Sequence, residues 1–453
     1  MQYEVTIEAL GTRGDGIAWR DGARLFIPDA LPGERVRVEL GRAAPGGTRA
    51  HLLERLNHSL NRAAPPCEYF GDCGGCVAQH ITAGTYGEWK IGMIRDALAH
   101  RGLTEVAIAP LITSPPASRR RARFAVARQY GGPEGAVALG FRRRSSDEIV
   151  AVERCTVLLP ALEALLKPLR DLATKIGMTE ISLTQAHQGI DIILHGLDAA
   201  PTLAVREMLA TFAHTHSIQR LSVESLTPGR GGKHASKRKQ RQRSTVLETI
   251  AQTSAVRARF ADTWVDLPPG AFLQPTAAGE LAIQHLVRDG LALEELPTGK
   301  RALRVADLYA GIGSIGFALA SDGVVGSARS HVAMFEDSAA MVGAARVAAD
   351  QAGILVTAEE RDLTRRPLSA AELKVYHAVI FDPPRAGARE QAEALAASDV
   401  ARIAAVSCNA ASFARDARIL IDGDYRMHTL TPIDQFLWSS HVELVAIFCR
   451  DGD

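Results

Sequence analysis

From the amino end, polar and apolar residues alternate over short stretches: "YEVTIEAL" (3–10), "GIAWR" (16–20), "ARLFIPDAL" (23–31), "ERVRVEL" (34–40) and "RAHLLERL" (49–56). A period of two marks half-buried strands. Glycine-rich turns separate them, so residues 1–58 predict a small β-barrel of about five strands. "NRAAPP" (61–66) reads as the linker out of it. Residues 59–261 mix periods. "YGEWKIGMIRDALAHRG" (86–102) reads as a helix ending at a glycine. Segments 121–129, 136–142 and 148–152 read as strands, 158–177 as a helix, and 180–197 as a strand pair. From 262 to 453 apolar strands alternate with alanine-rich helices, which predicts βαβ units and a largely parallel sheet. The last two strands, in "HTLTPIDQF" (428–436) and "HVELVAIFCR" (441–450), leave no room for a helix and must pair antiparallel. The expected fold class is therefore multi-domain α/β: a barrel, a central α+β domain and a C-terminal Rossmann-like domain.

Bulk properties narrow this little. No run of 18 apolar residues exists, so no membrane span is expected. The start lacks a basic stretch followed by an apolar one, so a cytoplasmic protein is expected. Six cysteines in 453 residues are too few for a disulfide scaffold. Net charge is only +1, but its distribution is uneven. "RGGKHASKRKQRQR" (230–243) carries seven Lys/Arg and no acid, and reads either as a solvated linker or as a nucleic-acid contact. Arg119, Arg120, Arg121 and Arg123 run into an alternating strand and are candidates for phosphate contact.

The unusual residues fall at strand ends, where ligands of parallel sheets bind. "VADLYAGIGSIGFALA" (305–320) is a strand, a glycine turn and a helix, with Gly311 and Gly313 allowing close backbone approach. Glu336 tips the next strand, where an acid suits two ribose hydroxyls. "FDPPRAG" (381–387) holds Asp382 on a proline-stiffened loop. Cys408 closes the fifth strand and precedes a helix, a position that can lower a thiol pKa. Glu443 lies in an otherwise apolar strand, where a carboxylate needs a partner or a function unless it sits at a sheet edge. One thiol, two carboxylates and a glycine loop suit a particular reaction. A thiolate adding to C6 of uracil makes C5 nucleophilic enough to accept a methyl, and a base then removes the C5 proton.

"CEYFGDCGGC" (67–76) places Cys67, Cys73 and Cys76 in a C-x5-C-x2-C pattern, three ligands of a site that usually has four. Cys155, Cys408 and Cys449 are the remaining cysteines. Four thiolates fit zinc or an iron–sulfur cluster equally well.

Taken jointly, these motifs resemble the RNA 5-methyluridine methyltransferase family. The family's layout is a TRAM barrel, a central domain with a [4Fe-4S] cluster and a class I methyltransferase domain. "FLQPT" (272–276) is similar to the family's F-x-Q element and implicates Gln274 in S-adenosyl-L-methionine binding. "DLYAGIGS" implicates Tyr309, Gly311, Gly313 and Ser314. Glu336, Asp362 in "RDL" and Asp382 complete the cofactor set. "SCNAASFARD" and "HVE" imply Cys408 as nucleophile and Glu443 as base, with Asp382 beside the pyrimidine. "CTVLLP" (155–160) resembles the motif of the fourth cluster cysteine, one residue longer than usual, and implies Cys155. Three departures stand out: Ser314 replaces a usual asparagine, "AARVAAD" lacks another, and Ala410 replaces a proline. The resemblance implies methylation of a uridine in structured RNA by a monomer. 23S ribosomal RNA is the expected substrate and transfer RNA the alternative. A catalytically silent RNA-binding or ribosome-assembly factor and an NAD-dependent dehydrogenase are the competing readings.

Overall fold

The computed structural model describes residues 2–128, 136–227, 244–296, 302–321 and 331–450. The basic stretch 230–243 lies outside them. The N-terminal sheet has six strands, in the order Gln2–Thr6, Arg35–Ala44, Gly47–Arg55, Ala23–Ile27, Gly16–Arg20, Ala9–Leu10. The sixth arises because the first alternating run divides. The Ile7 N–H donates to the Glu34 carbonyl and the Glu8 N–H to the Ile17 carbonyl, which hands the chain from one partner strand to another. Ile7, Ile27, Val36 and Val38 fill the centre.

The central sheet has seven strands: Ile149–Ala151, Val137–Arg142, Arg121–Arg128, Glu180–Gln185, Ile190–Leu197, Arg220–Thr227 and Ser244–Gln252. Period-two alternation sorts its residues onto two faces. Phe124, Ile181, Leu183, Ile192, Leu194, Leu221 and Val223 form a core with Leu166, Leu169 and Leu209 from the helices Leu166–Ala173 and Leu203–Thr215. Arg121, Arg123, Ser182, Thr184, Asp191, His195 and Glu224 belong to the opposite, polar set. The single helix expected over 158–177 is two, Pro160–Glu163 and Leu166–Ala173. Pro168 has no N–H and is tolerated only in a first helical turn, so the chain restarts its helix just before it.

The C-terminal sheet runs Val356–Glu360, His331–Glu336, Arg304–Leu308, Ala378–Phe381, Arg402–Ser407, Glu443–Arg450, Tyr425–Asp434. The first five strands are parallel. Glu443–Arg450 inserts antiparallel between Arg402–Ser407 and Tyr425–Asp434. Glu443 is therefore not at a sheet edge. Apolar layers cover both faces, led by Val305, Phe317, Ile380 and Ile447 on one side and Leu308, Phe381, Phe413 and Phe448 on the other.

Part of the segment 59–261 folds with this sheet. The strand Ile112–Thr113 pairs in parallel with Ile433 and Asp434. The helix Ala83–Ala99 sends Ile94 and Leu98 into the layer containing Phe413 and Leu420. Lys90, fully buried on that helix, forms an ion pair with the equally buried Asp434 at 3.1 Å and donates to the His441 carbonyl. The Tyr86 hydroxyl donates to Asp434 at 2.6 Å and accepts from the Trp438 N–H at 2.8 Å. A buried ion pair is a weak source of net stability, but it enforces one arrangement, because removing either partner strands a charge. Here it fixes the hairpin loop that leads into Glu443. Among the described residues no helix is long and apolar enough to cross a membrane.

Candidate active site

The carboxyl ends of the C-terminal strands face the polar side of the central sheet across a cavity of about 800 Å3. Arg120 joins the two units. It is buried, donates to Glu280 and to the Gln274 carbonyl at 2.6 and 2.8 Å, and so is not free for phosphate. Arg119 and Arg121, its neighbours on the other side of the strand, do line the cavity, as does Arg123, which pairs with Glu180. Of the four arginines expected at phosphate, alternation thus turns one inward. The guanidinium of Arg121 lies 4.3 Å from the centre of the Phe272 ring, and Phe272 is 50% exposed.

Eight of the residues singled out in the sequence share the cavity wall: Gln274, Tyr309, Gly311, Glu336, Asp362, Asp382, Cys408 and Glu443. Gly313 and Ser314 do not reach it. Gly313 instead supports the turn: its φ is +84°, and a Cβ there would lie 2.8 Å from Met334 Cε and from the Phe317 ring. Tyr309 also has a positive φ, +62°, a conformation that costs a non-glycine residue energy and is found where function requires it. Its hydroxyl is buried without a hydrogen-bond partner. Glu336 accepts from the Gly311 N–H at 2.9 Å and the Ser338 N–H at 3.0 Å, which ties the glycine turn to the next strand. Asp362 accepts from the Thr364 and Arg365 N–H groups. An unpartnered hydroxyl, a glycine turn and two anchored acids around one cavity fit a polar ligand with a ribose and a heterocycle, as S-adenosylmethionine has.

Glu443, Asp382 and Cys408 line the same cavity. Glu443 is 4% exposed and accepts from Gln435 Nε2 at 2.7 Å. The same Nε2 donates to Gln274 Oε1 at 2.8 Å, so one buried amide bridges Gln274 and Glu443. Helix Ala277–Leu291 closes on Gln435 through Gly279, where a Cβ would stand 2.6 Å from Gln435 Oε1. Burial, then the charge of Asp382, push the Glu443 carboxyl up to about 8. Burial pushes Asp382 up to about 7. Cys408 is raised to about 11 by burial, then by Glu443 and Asp382, with Arg385 opposing. The thiol pKa is therefore not lowered, as its place before a helix suggested, because burial, reinforced by two carboxylates, outweighs the helix end. The loops of Asp382 and Cys408 are held together by Asn409 Nδ2 and Ser412 Oγ, which donate to the Arg385 carbonyl at 3.1 and 3.0 Å.

Two acids and one amide were missed. Asp307 is 1% exposed and accepts from the Gly316 N–H; burial, then Asp382 and Glu336, raise it to about 8. An acid inside the apolar strand "VADL" carries the same signal as Glu443. Gln435 and Asp434 end a strand in "PIDQF", again polar residues where the pattern expects a ligand.

Cys67, Cys73, Cys76 and Cys155 are gathered where the chain leaves the barrel. The Glu153 N–H donates to Tyr69 Oη, joining the two cysteine segments, and the Gly74 N–H donates to the Arg142 carbonyl of the central sheet. The Cys76 thiol, pushed up to about 12 mainly by burial, also feels Cys155, Cys73 and Cys67. The Gly75 N–H donates to Cys73 Sγ at 3.4 Å. Among the described residues no group of three or more His, Cys, Asp or Glu side chains is set to hold a metal ion as the structure stands. Cys449 packs partly against the C-terminal core, away from these four.

The sheet order and the cavity at its carboxyl end are those of the S-adenosylmethionine-dependent methyltransferase fold. Residues 268–450 match the tRNA (uracil-5-)-methyltransferase family, and residues 2–53 match the TRAM domain. An uncharacterized RNA methyltransferase of Mesorhizobium japonicum is 39% identical over 99% of this chain and 98% of its own. The 23S rRNA (uracil(1939)-C(5))-methyltransferase RlmD of Chromohalobacter salexigens is 34% identical over 99% of this chain and 89% of its own. In fold, the chain resembles the Pyrococcus abyssi tRNA (uracil-54, C5)-methyltransferase solved with S-adenosyl-L-homocysteine. The TM-score is 0.71 at 21% identity, covering 98% of this chain and all of the other. The chain belongs to the RNA uracil-C5 methyltransferases, which use S-adenosylmethionine.

Proposed function

We propose that this enzyme methylates C5 of a specific uridine in 23S ribosomal RNA, with Cys408 as nucleophile and Glu443 as base. The observation that carries the chemistry is the convergence of Cys408, Asp382 and Glu443 on one wall of the cavity that Gln274, Tyr309 and Glu336 share. The target base leaves its stack to reach them. Cys408 gives up its proton to a neighbouring carboxylate as Sγ bonds to C6, and the C5=C6 electron pair passes to C5 and O4. Bound S-adenosylmethionine supplies the electrophilic methyl. Asp382 holds the pyrimidine edge. Glu443 then removes the C5 proton, the C–H pair restores C5=C6, and the sulfur leaves C6. Its carboxyl, raised to about 8, suits a base that must be regenerated near neutral pH.

Ribosomal RNA is favoured over transfer RNA by the match to RlmD along nearly the whole chain. Mapping 5-methyluridine by mass spectrometry in ribosomal and transfer RNA, with and without the gene, tests this. Loss of one or more 23S sites is expected; loss of a transfer-RNA site alone would refute it. We assign a [4Fe-4S] cluster to Cys67, Cys73, Cys76 and Cys155. The support is the gathering of four thiols from two chain segments and an N–H donated to one sulfur, a bond that tunes such clusters. Methyl transfer moves no net electron, so the cluster's role is structural, holding the linker to the central domain, or one of RNA contact. Four iron and four sulfide per chain are expected after anaerobic purification; zinc without iron would overturn the assignment.

A further inference from the structure

One group on the polar face of the central sheet takes no part in the chemistry above. His195 Nδ1 lies 2.5 Å from Glu224 Oε2, and its Nε2 lies 2.8 Å from Ser182 Oγ. Ser182 and His195 line the same cavity as Cys408, on the facing wall. The hydrogen bond with His195 holds the Glu224 carboxyl below its usual value, so it is an ionised acceptor. Nδ1 then carries a proton toward Glu224, and when the ring is neutral Nε2 accepts from Ser182. In that state Ser182 spends its one O–H on Nε2 and keeps its lone pairs for the cavity. The relay then makes the hydroxyl an acceptor toward the cavity.

An acceptor selects a donor. Around it, Arg121 and Arg123 offer cationic contacts and Phe272 a half-exposed ring. These suit the phosphates and a base of a polynucleotide strand. The donor such a strand presents between phosphate and base is the ribose 2′-hydroxyl, which also distinguishes RNA from DNA. We propose that Ser182, oriented by His195 and Glu224, receives the 2′-hydroxyl of a nucleotide flanking the target uridine. The same three residue types in this order make a hydrolytic triad elsewhere, but Ser182 sits mid-strand between Arg123 and Ile193, its Cα partners on either side.

This inference rests on the reading that the cavity takes an RNA strand, and the test separates the two. Binding of a heptauridine RNA to the full-length protein is measured beside seven versions, each with one 2′-deoxy position. Wild type should lose affinity about 2- to 10-fold at one position, the worth of one hydrogen bond. Ser182→Ala and His195→Ala should bind the all-ribose strand more weakly and show no such position, while Ser182→Thr should keep it. A wild type indifferent to every 2′-deoxy substitution overturns the proposal, as does a Ser182→Ala protein that keeps the sensitivity. Covalent labelling of Ser182 by a fluorophosphonate would overturn it in favour of a nucleophile. If heptauridine does not bind wild type at all, the RNA reading of the cavity falls, and this inference with it.

Discussion

Replacing Gln435 with leucine removes a side-chain hydrogen bond that the Glu443 carboxylate accepts, at 2.7 Å in a buried site. A hydrogen bond to a charged group is worth about 1.5–3 kcal/mol net. It stabilises the ionised form more than the neutral one, so its loss raises the Glu443 pKa, by at most about 1–2 at 1.36 kcal/mol per pKa unit. The starting value is about 8, so the variant's base would be almost wholly protonated at neutral pH. The assay is single-turnover release of tritium from RNA carrying 5-tritiated uridine, followed over a pH series. Wild type should climb to a plateau with a midpoint near the Glu443 value. Gln435→Leu should be slow at neutral pH, regain rate in alkali, and show its midpoint displaced upward. An unchanged midpoint with a lower plateau would refute the reasoning. Gln435 would then matter only through Gln274, its other partner.

Further predictions concern the frame around the site. Lys90→Met leaves Asp434 charged and buried, and should cost about 3–5 kcal/mol, read as a lower melting temperature with impaired catalysis; adding Asp434→Leu should restore most of the stability. Gly313→Ala forces a Cβ into Met334 and Phe317 at a left-handed φ; S-adenosylmethionine affinity by calorimetry should fall although residue 313 does not line the cavity. Asp307 keeps its proton in the folded protein up to about pH 8, whereas the unfolded chain releases it near pH 3.9. The unfolded state thus binds fewer protons across that window, and stability declines as pH rises through it. Asp307→Asn should flatten the fall in melting temperature across that window; an unchanged slope would show that Asp307 ionises normally.

The chain's periodicities yielded four of the five parallel strands and the final hairpin, because those strands are buried on both faces or alternate cleanly; Val356–Glu360, a largely exposed edge strand, was missed. What periodicity could not show is which partner a segment chooses. Helix Ala83–Ala99 is amphipathic whichever core receives it, and only Lys90 and Tyr86 meeting Asp434 across the fold reveal that it belongs with the last sheet. Glu443 was legible as an anomaly, but its place in an inner strand depends on the antiparallel insertion beside Arg402–Ser407. Gln435 could be marked only as a polar strand end, because its role is relational: one amide donating to residues 161 and 8 positions away. The raised Cys408 thiol was not legible either, since it comes first from burial and then from carboxylates on two other strands.

The covalent route through Cys408 is the central claim, and one measurement reaches it directly. Glu443→Gln is mixed with S-adenosylmethionine and substrate RNA, denatured, digested and examined by mass spectrometry. The account predicts a peptide containing Cys408 joined through sulfur to a uridine that already carries the methyl, stalled because no base removes the C5 proton, and no such species with Cys408→Ala. Methylated RNA formed by Cys408→Ala, or an adduct on any other residue, would contradict it.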